Sequence, residues 1–122
     1  EFLRQHAKID NVWYLDFLPK DHPDRPIHEK QNKNAGSTFS FEVAGGEAAA
    51  FRLLDRLQII KLAVSLGGTE TLASHPAAMT HSGLPAEELA RYSITPGLIR
   101  ISIGIEDPED LIADLAQALD AV

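Results

Sequence analysis

The chain has 122 residues, 44% of them apolar, with 11 basic and 18 acidic side chains and a net charge of −7. That balance excludes a polyanion such as nucleic acid as the natural partner. No apolar run reaches the roughly 18 residues a membrane span requires, and the absence of cysteine removes disulfides and thiolate metal sites.

The length suits one compact domain covering residues 1–122. There is no secretory signal pattern, and with no cysteine the expected location is cytoplasmic. The chain opens on Glu1, and "EFLRQHAKI" reads as the end of a helix. The expectation is a piece of a longer protein.

Phe2 to Ala7 is that helical tail, and Asn11 to Leu15 is a strand rich in aromatic and β-branched residues. Leu18 to Pro26 holds three prolines and predicts an exposed loop, after which "IHEKQ" predicts a short helix. Gly36 to Val43 alternates cleanly, with Phe39, Phe41 and Val43 on one face and Thr38, Ser40 and Glu42 on the other. Gly45–Gly46 is a turn into a helix over Glu47–Ile59, whose stripe is Phe51, Leu54 and Leu57 flanked by Ala50 and Leu53.

Lys61 to Leu66 reads as the next strand, with Leu62, Val64 and Leu66 alternating against Ala63 and Ser65. "TETLASHPAAMTHSG" carries no clear period and predicts a helical turn followed by extended chain after Pro76. "PAEELARYSI" is a short helix, with Glu87 and Glu88 in the first turn where the dipole favours them. Leu98 to Asp107 is a strand with Ile99, Ile101, Ile103 and Ile105 on the core face and Leu98, Arg100, Ser102 and Gly104 opposite. Asp107 caps a final helix that begins at Pro108, with Leu111, Ile112, Leu115, Ala118 and Leu119 as its stripe and a solvated acidic face. This order predicts an α/β sandwich built on one small sheet.

Three of these strands pair an apolar face with a face of small polar residues, Thr38/Ser40, Ala63/Ser65 and Arg100/Ser102. Helices cover only the apolar side. The other side presents hydroxyls around one guanidinium, whose planar fork matches a carboxylate two bonds at a time. The competing reading is an internal ion pair of Arg100 with Glu42, Glu70 or Glu106. Other chemistry is thin. His75 and His81 lie six apart with Pro76 between, neither helical nor zinc spacing, and suit structural hydrogen bonding. His6, His22 and His28 fall in a polar region and are expected in solvent. No serine sits in a G-x-S-x-G elbow, and there is neither a P-loop nor a G-x-G-x-x-G.

The run from Leu62 to Leu119, with "SLGG.E.L", "HPA.MTH" and "IR.S.GIED", closely resembles the C-terminal domain of the pyridoxal-phosphate enzymes of cysteine and methionine metabolism. "STFSFEVAGGEAAAFRLLDRLQ" fits the preceding part of the same domain. The resemblance implies a small mixed, largely antiparallel sheet with helices on one face, as in fold-type I enzymes. It implies pyridoxal 5'-phosphate as cofactor and an amino-acid substrate: methionine, homocysteine or a homoserine ester. Arg100 matches the arginine that grips the substrate α-carboxylate, Ser65 a serine beside cofactor and substrate, and Thr80 a threonine near the same site. Val64 stands where cystathionine-handling members often carry Glu. An apolar residue there suits a thioether or a small ester, which favours a methionine γ-lyase, with an O-acetyl/O-succinylhomoserine sulfhydrylase or cystathionine γ-synthase as the alternative. The family's Schiff-base lysine follows a serine by three residues. The positions three before Lys8, Lys20, Lys30, Lys33 and Lys61 are Gln5, Phe17, Ile27, Lys30 and Gln58, so no lysine here fits. The resemblance therefore implies a catalytic lysine and phosphate cradle in an N-terminal domain outside this chain, a homotetramer at full length, and no turnover by this piece alone. A free-standing binding or assembly module is the non-enzymatic alternative.

Overall fold

A computed structural model describes residues 1–122. Five strands form one sheet in the order β1-β2-β5-β4-β3. They are β1 (Ile9–Trp13), β2 (Thr38–Val43), β3 (Lys61–Leu62), β4 (Leu72–Ser74) and β5 (Leu98–Ser102). The helices are α1 (Phe2–Gln5), α2 (Arg25–Gln31), α3 (Gly46–Arg56), α4 (Ala86–Arg91) and α5 (Pro108–Asp120). Every pairing is antiparallel except β3 with β4. The expected mixed, largely antiparallel sheet with helices against its apolar face is present.

Burial of alternate residues fixes β2 against β5. Phe41 faces Ile99 and Phe39 faces Ile101, with Ala73 of β4 on the far side of Ile101. Phe41, Ile99, Ile101 and Ala73 are fully buried. The helices α3 and α5 close over this face through Ala49, Ala50, Leu53 and Leu54 from one, and Leu111, Leu115, Ala118 and Leu119 from the other. Each such large aliphatic or aromatic side chain stabilises the fold by about 1.5–3 kcal/mol through lost apolar surface. Asp107 caps α5 as expected, its Oδ1 accepting the Glu109 N–H at 2.8 Å.

Several expectations are corrected. The strand expected over Lys61–Leu66 stops at Leu62, and Leu62, Val64 and Leu66 are 52%, 61% and 55% exposed. They lie at or beyond an edge strand, outside the reach of the two long helices, so their alternation buries nothing. The neighbour of β5 is instead β4, a strand in the segment where no period is visible. Three residues are too few to show one. The stripe of α3 is turned toward Ala49, leaving Phe51 partly exposed with its ring edge on His75, centroids 4.9 Å apart. Ile105 is 81% exposed because β5 ends at Ser102, and Ile112 lies outside the buried stripe of α5. His28 is not solvated: its side chain is 10% exposed, with Nε2 3.4 Å from Asp16.

The acidic face of α5 also differs from expectation. Asp114 is only 4% exposed. Its carboxylate accepts the N–H groups of Gln58, Ile59 and Ile60 at 2.8–2.9 Å. Those donors lie just past the end of α3, where the chain turns toward β3. Burial pushes the Asp114 pKa up, but the three backbone donors and the Gln117 amide together outweigh it and hold the carboxyl below its ordinary value.

Candidate functional site: a carboxylate dock at Arg100

The polar face of the sheet carries one continuous row. Trp13 pairs with Ser40, Ser40 with Arg100, and Arg100 with Ser74, across four adjacent strands. Directly paired residues in antiparallel ladders point the same way. Arg100 thus rises from the middle of the sheet between two serines. Its only hydrogen bond runs from Nη2 to the Ser65 carbonyl at 3.3 Å. No carboxylate pairs with it, so the internal ion pair with Glu42, Glu70 or Glu106 is absent. A guanidinium carries five donors. This one is half-buried and leaves most of its donors for a ligand.

On one side of Arg100 a cleft of about 600 Å³ is lined by Trp13, Leu15, Leu18, His22, Thr38 and Ser40, among others. On the other side runs the segment bearing Val64 and Ser65, which is pinned rather than loose. The Gly67 N–H donates to Ser102 Oγ at 2.9 Å. Thr71 donates both its N–H and its hydroxyl to Glu106, each at 2.6 Å. The Thr71 hydroxyl, followed by its backbone N–H, lowers the Glu106 pKa. Gly104 donates its N–H to Thr71 Oγ1, and a Cβ at Gly104 would run into the Thr69 carbonyl. Only glycine allows the loop to close this tightly on the end of β5. Ser102 is consequently 2% exposed and serves the loop rather than the open face.

The expected site residues are brought together unevenly. Arg100 and Ser65 touch, through the Ser65 backbone carbonyl rather than its hydroxyl. Val64 is adjacent in the chain and open to solvent. Thr80 lies in the turn after β4, with Oγ1 2.7 Å from His81 Nδ1 and 3.4 Å from the Pro76 carbonyl. That turn is organised by His75, which is 1% exposed. Its Nδ1 accepts the Ala78 N–H at 3.1 Å, and its Nε2 lies 2.8 Å from the Pro96 carbonyl, so the ring is a neutral Nε2–H tautomer. The structural role expected of His75 is what the geometry shows. Ser74 escaped the sequence reading because its strand did, and only register places it beside Arg100.

These residues suit a carboxylate and do not suit the anchoring of an aldehyde cofactor. No lysine lines the Arg100 cleft. Lys8 Nζ donates to the Leu119 carbonyl at 2.7 Å, and Lys61 Nζ to the Gln58 carbonyl at 3.1 Å. No three His, Asp or Glu side chains converge in a metal-binding arrangement, and no helix is long and apolar enough to cross a membrane.

Comparison with known proteins gives a consistent result. Residues 1–120 match the family model described as Cys/Met metabolism PLP-dependent enzyme. The chain is 48% identical over 122 residues to an L-methionine gamma-lyase of Fusobacterium nucleatum subsp. polymorphum, covering 100% of this chain and 30% of the relative. It is 44% identical over 119 residues to a cystathionine gamma-lyase of Dictyostelium discoideum, covering 98% of this chain and 30% of that one. A crystal structure of a cystathionine gamma lyase from Micromonospora echinospora superposes with a TM-score of 0.89 at 43% identity, covering 99% of this chain and 31% of that one. A cystathionine gamma synthase from Xanthomonas oryzae pv. oryzae, solved in complex with aminoacrylate and cysteine, gives 0.86 at 43% identity, covering 98% and 30%. The chain thus spans about 30% of the length of the relatives it matches. Because the match runs along nearly all of the sequence and all of the sheet, this chain belongs to the Cys/Met metabolism PLP-dependent enzyme family.

Proposed function

We propose that this chain is the C-terminal, substrate-carboxylate-binding part of a pyridoxal-phosphate-dependent lyase acting on a sulfur amino acid, with methionine as substrate. The observation that carries the reading is Arg100: a central-strand guanidinium, half-buried between two serines, with no acid partner. In a partly dehydrated setting such a charge calls for an anion. An α-carboxylate fits its fork, and a solved relative was captured with amino-acid ligands.

The cofactor, held mainly by residues outside this chain, supplies the electron sink for bond breaking at the amino acid. The residues here bind and orient. Arg100 takes the carboxylate and so fixes the α-carbon relative to the rest of the site. The pinned loop keeps Ser65 beside it through the Ser65 carbonyl, and in this reading the Ser65 and Thr80 hydroxyls contribute to holding the same substrate. Val64 offers an apolar wall that favours a thioether tail over a charged one. By itself this chain neither anchors the cofactor nor turns over substrate. Its working form is the full-length protein, a cytoplasmic homotetramer.

Absorbance of the bound cofactor, measured on the full-length polypeptide, tests the first half of the proposal. Incubation with methionine tests the second: release of free thiol and a 2-oxo acid is the lyase outcome. Thioether formation from an O-acylhomoserine and a thiol, without methionine breakdown, identifies a sulfhydrylase or cystathionine γ-synthase instead. A full-length polypeptide that binds no cofactor would leave the binding-module reading standing.

A further inference from the structure

Ser74 is the one member of the polar row with an unexplained side chain. It is 1% exposed, and its Oγ has no hydrogen-bond partner. Buried hydroxyls in folded proteins are nearly always paired, since an unpaired one has given up water for nothing. Ser74 stands directly opposite Arg100 in the β4–β5 register. Side chains so paired have Cβ atoms about 4.5–5.5 Å apart. The Ser74 side chain is therefore a direct cross-strand neighbour of the Arg100 stem. Arg100 in turn makes only one long bond, to the Ser65 carbonyl at 3.3 Å. A donor-rich group and an acceptor without a donor are neighbours and are not bonded.

We propose that Ser74 is a positioning residue for Arg100, an inference that rests on the carboxylate-dock reading above. When a carboxylate takes the outer edge of the guanidinium fork, Arg100 gives up the Ser65 carbonyl and an inner N–H turns to Ser74 Oγ. The hydroxyl then fixes the plane of the fork from beneath. Too little of Ser74 is exposed for it to meet the substrate directly, so it acts through Arg100. The open state keeps the arginine loosely held, and the loaded state satisfies both groups at once.

The test uses full-length holoenzyme and methionine. S74A is expected to raise KM about five- to tenfold with kcat within about twofold, while cofactor absorbance and melting temperature are retained. S74T, which keeps the hydroxyl, restores KM to within about twofold of the parent. S74A adds nothing further in an R100A background, because the two side chains act as one unit. If S74A folds poorly, S74C keeps the volume while removing the strong acceptor, and the same rise in KM is expected. An unchanged KM in S74A or S74C, with R100A impaired, overturns the role of Ser74 and leaves the dock intact. Full catalytic efficiency in R100A overturns the dock and this inference together.

Discussion

Asp114 and Arg100 are both charged side chains set among buried neighbours, and the fold treats them in opposite ways. Asp114 looks into the junction between α3 and β3 and accepts three backbone N–H groups at 2.8–2.9 Å. Arg100 looks out of the sheet and makes one bond at 3.3 Å to a carbonyl. The carboxylate is complete within the chain, so its charge serves stability. The guanidinium finds one long bond and no acid partner within the chain, and on the proposed function its charge is kept for a substrate carboxylate. A charged group satisfied at short range by its own backbone is structural. One left short of partners at the centre of a sheet marks a site.

The largest effect expected from breaking this contrast is on the structural member. D114A strands three backbone donors and should lower unfolding free energy by about 4 kcal/mol, measured by denaturant melts. D114N keeps one acceptor oxygen and should lose about half as much. R100A should do the reverse: melting temperature within about 2 °C of the parent, but catalytic efficiency on an amino-acid substrate down by about 3 kcal/mol, roughly a hundredfold, in the full-length enzyme. Equal losses of stability in both variants would erase the distinction. V64E is milder, raising KM for methionine by about 1 kcal/mol, roughly fivefold, while leaving the fold untouched at an exposed position.

The smallest effect is the dependence on pH. The folded-state pKa of Asp114 and that of Glu106 both lie below the ordinary 3.8 and 4.5. A depressed carboxylate contributes its full stability above its unfolded-state value and loses it as pH falls through the folded one. Melting temperature should therefore hold down to about pH 5 and drop below about pH 4, and D114A should flatten that drop. A parent protein whose stability changes instead near neutrality would overturn this assignment to the two carboxylates.

Alternation along β2 and β5, the N-cap of α5 and the isolation of one arginine among small polar residues follow from local sequence pattern, and so were legible before the fold was known. The same holds for the family, which rests on motifs spaced along the chain. What periodicity could not carry was pairing. Leu62, Val64 and Leu66 alternate like a core strand, yet they lie at or beyond a sheet edge that no helix covers. Leu72 to Ser74 shows no pattern, yet it is the strand that pairs with β5. Asp114 reads as one more acid on a solvated helix until the turn after α3 is folded against it. The sequence by itself determined which residues form the apolar face of the central strands and which cation stands on the other, because both follow from a period of two. Only the tertiary structure decided that Trp13, Ser40, Arg100 and Ser74 share a row, because register across strands separated by dozens of residues is set by packing and not by neighbours in the chain.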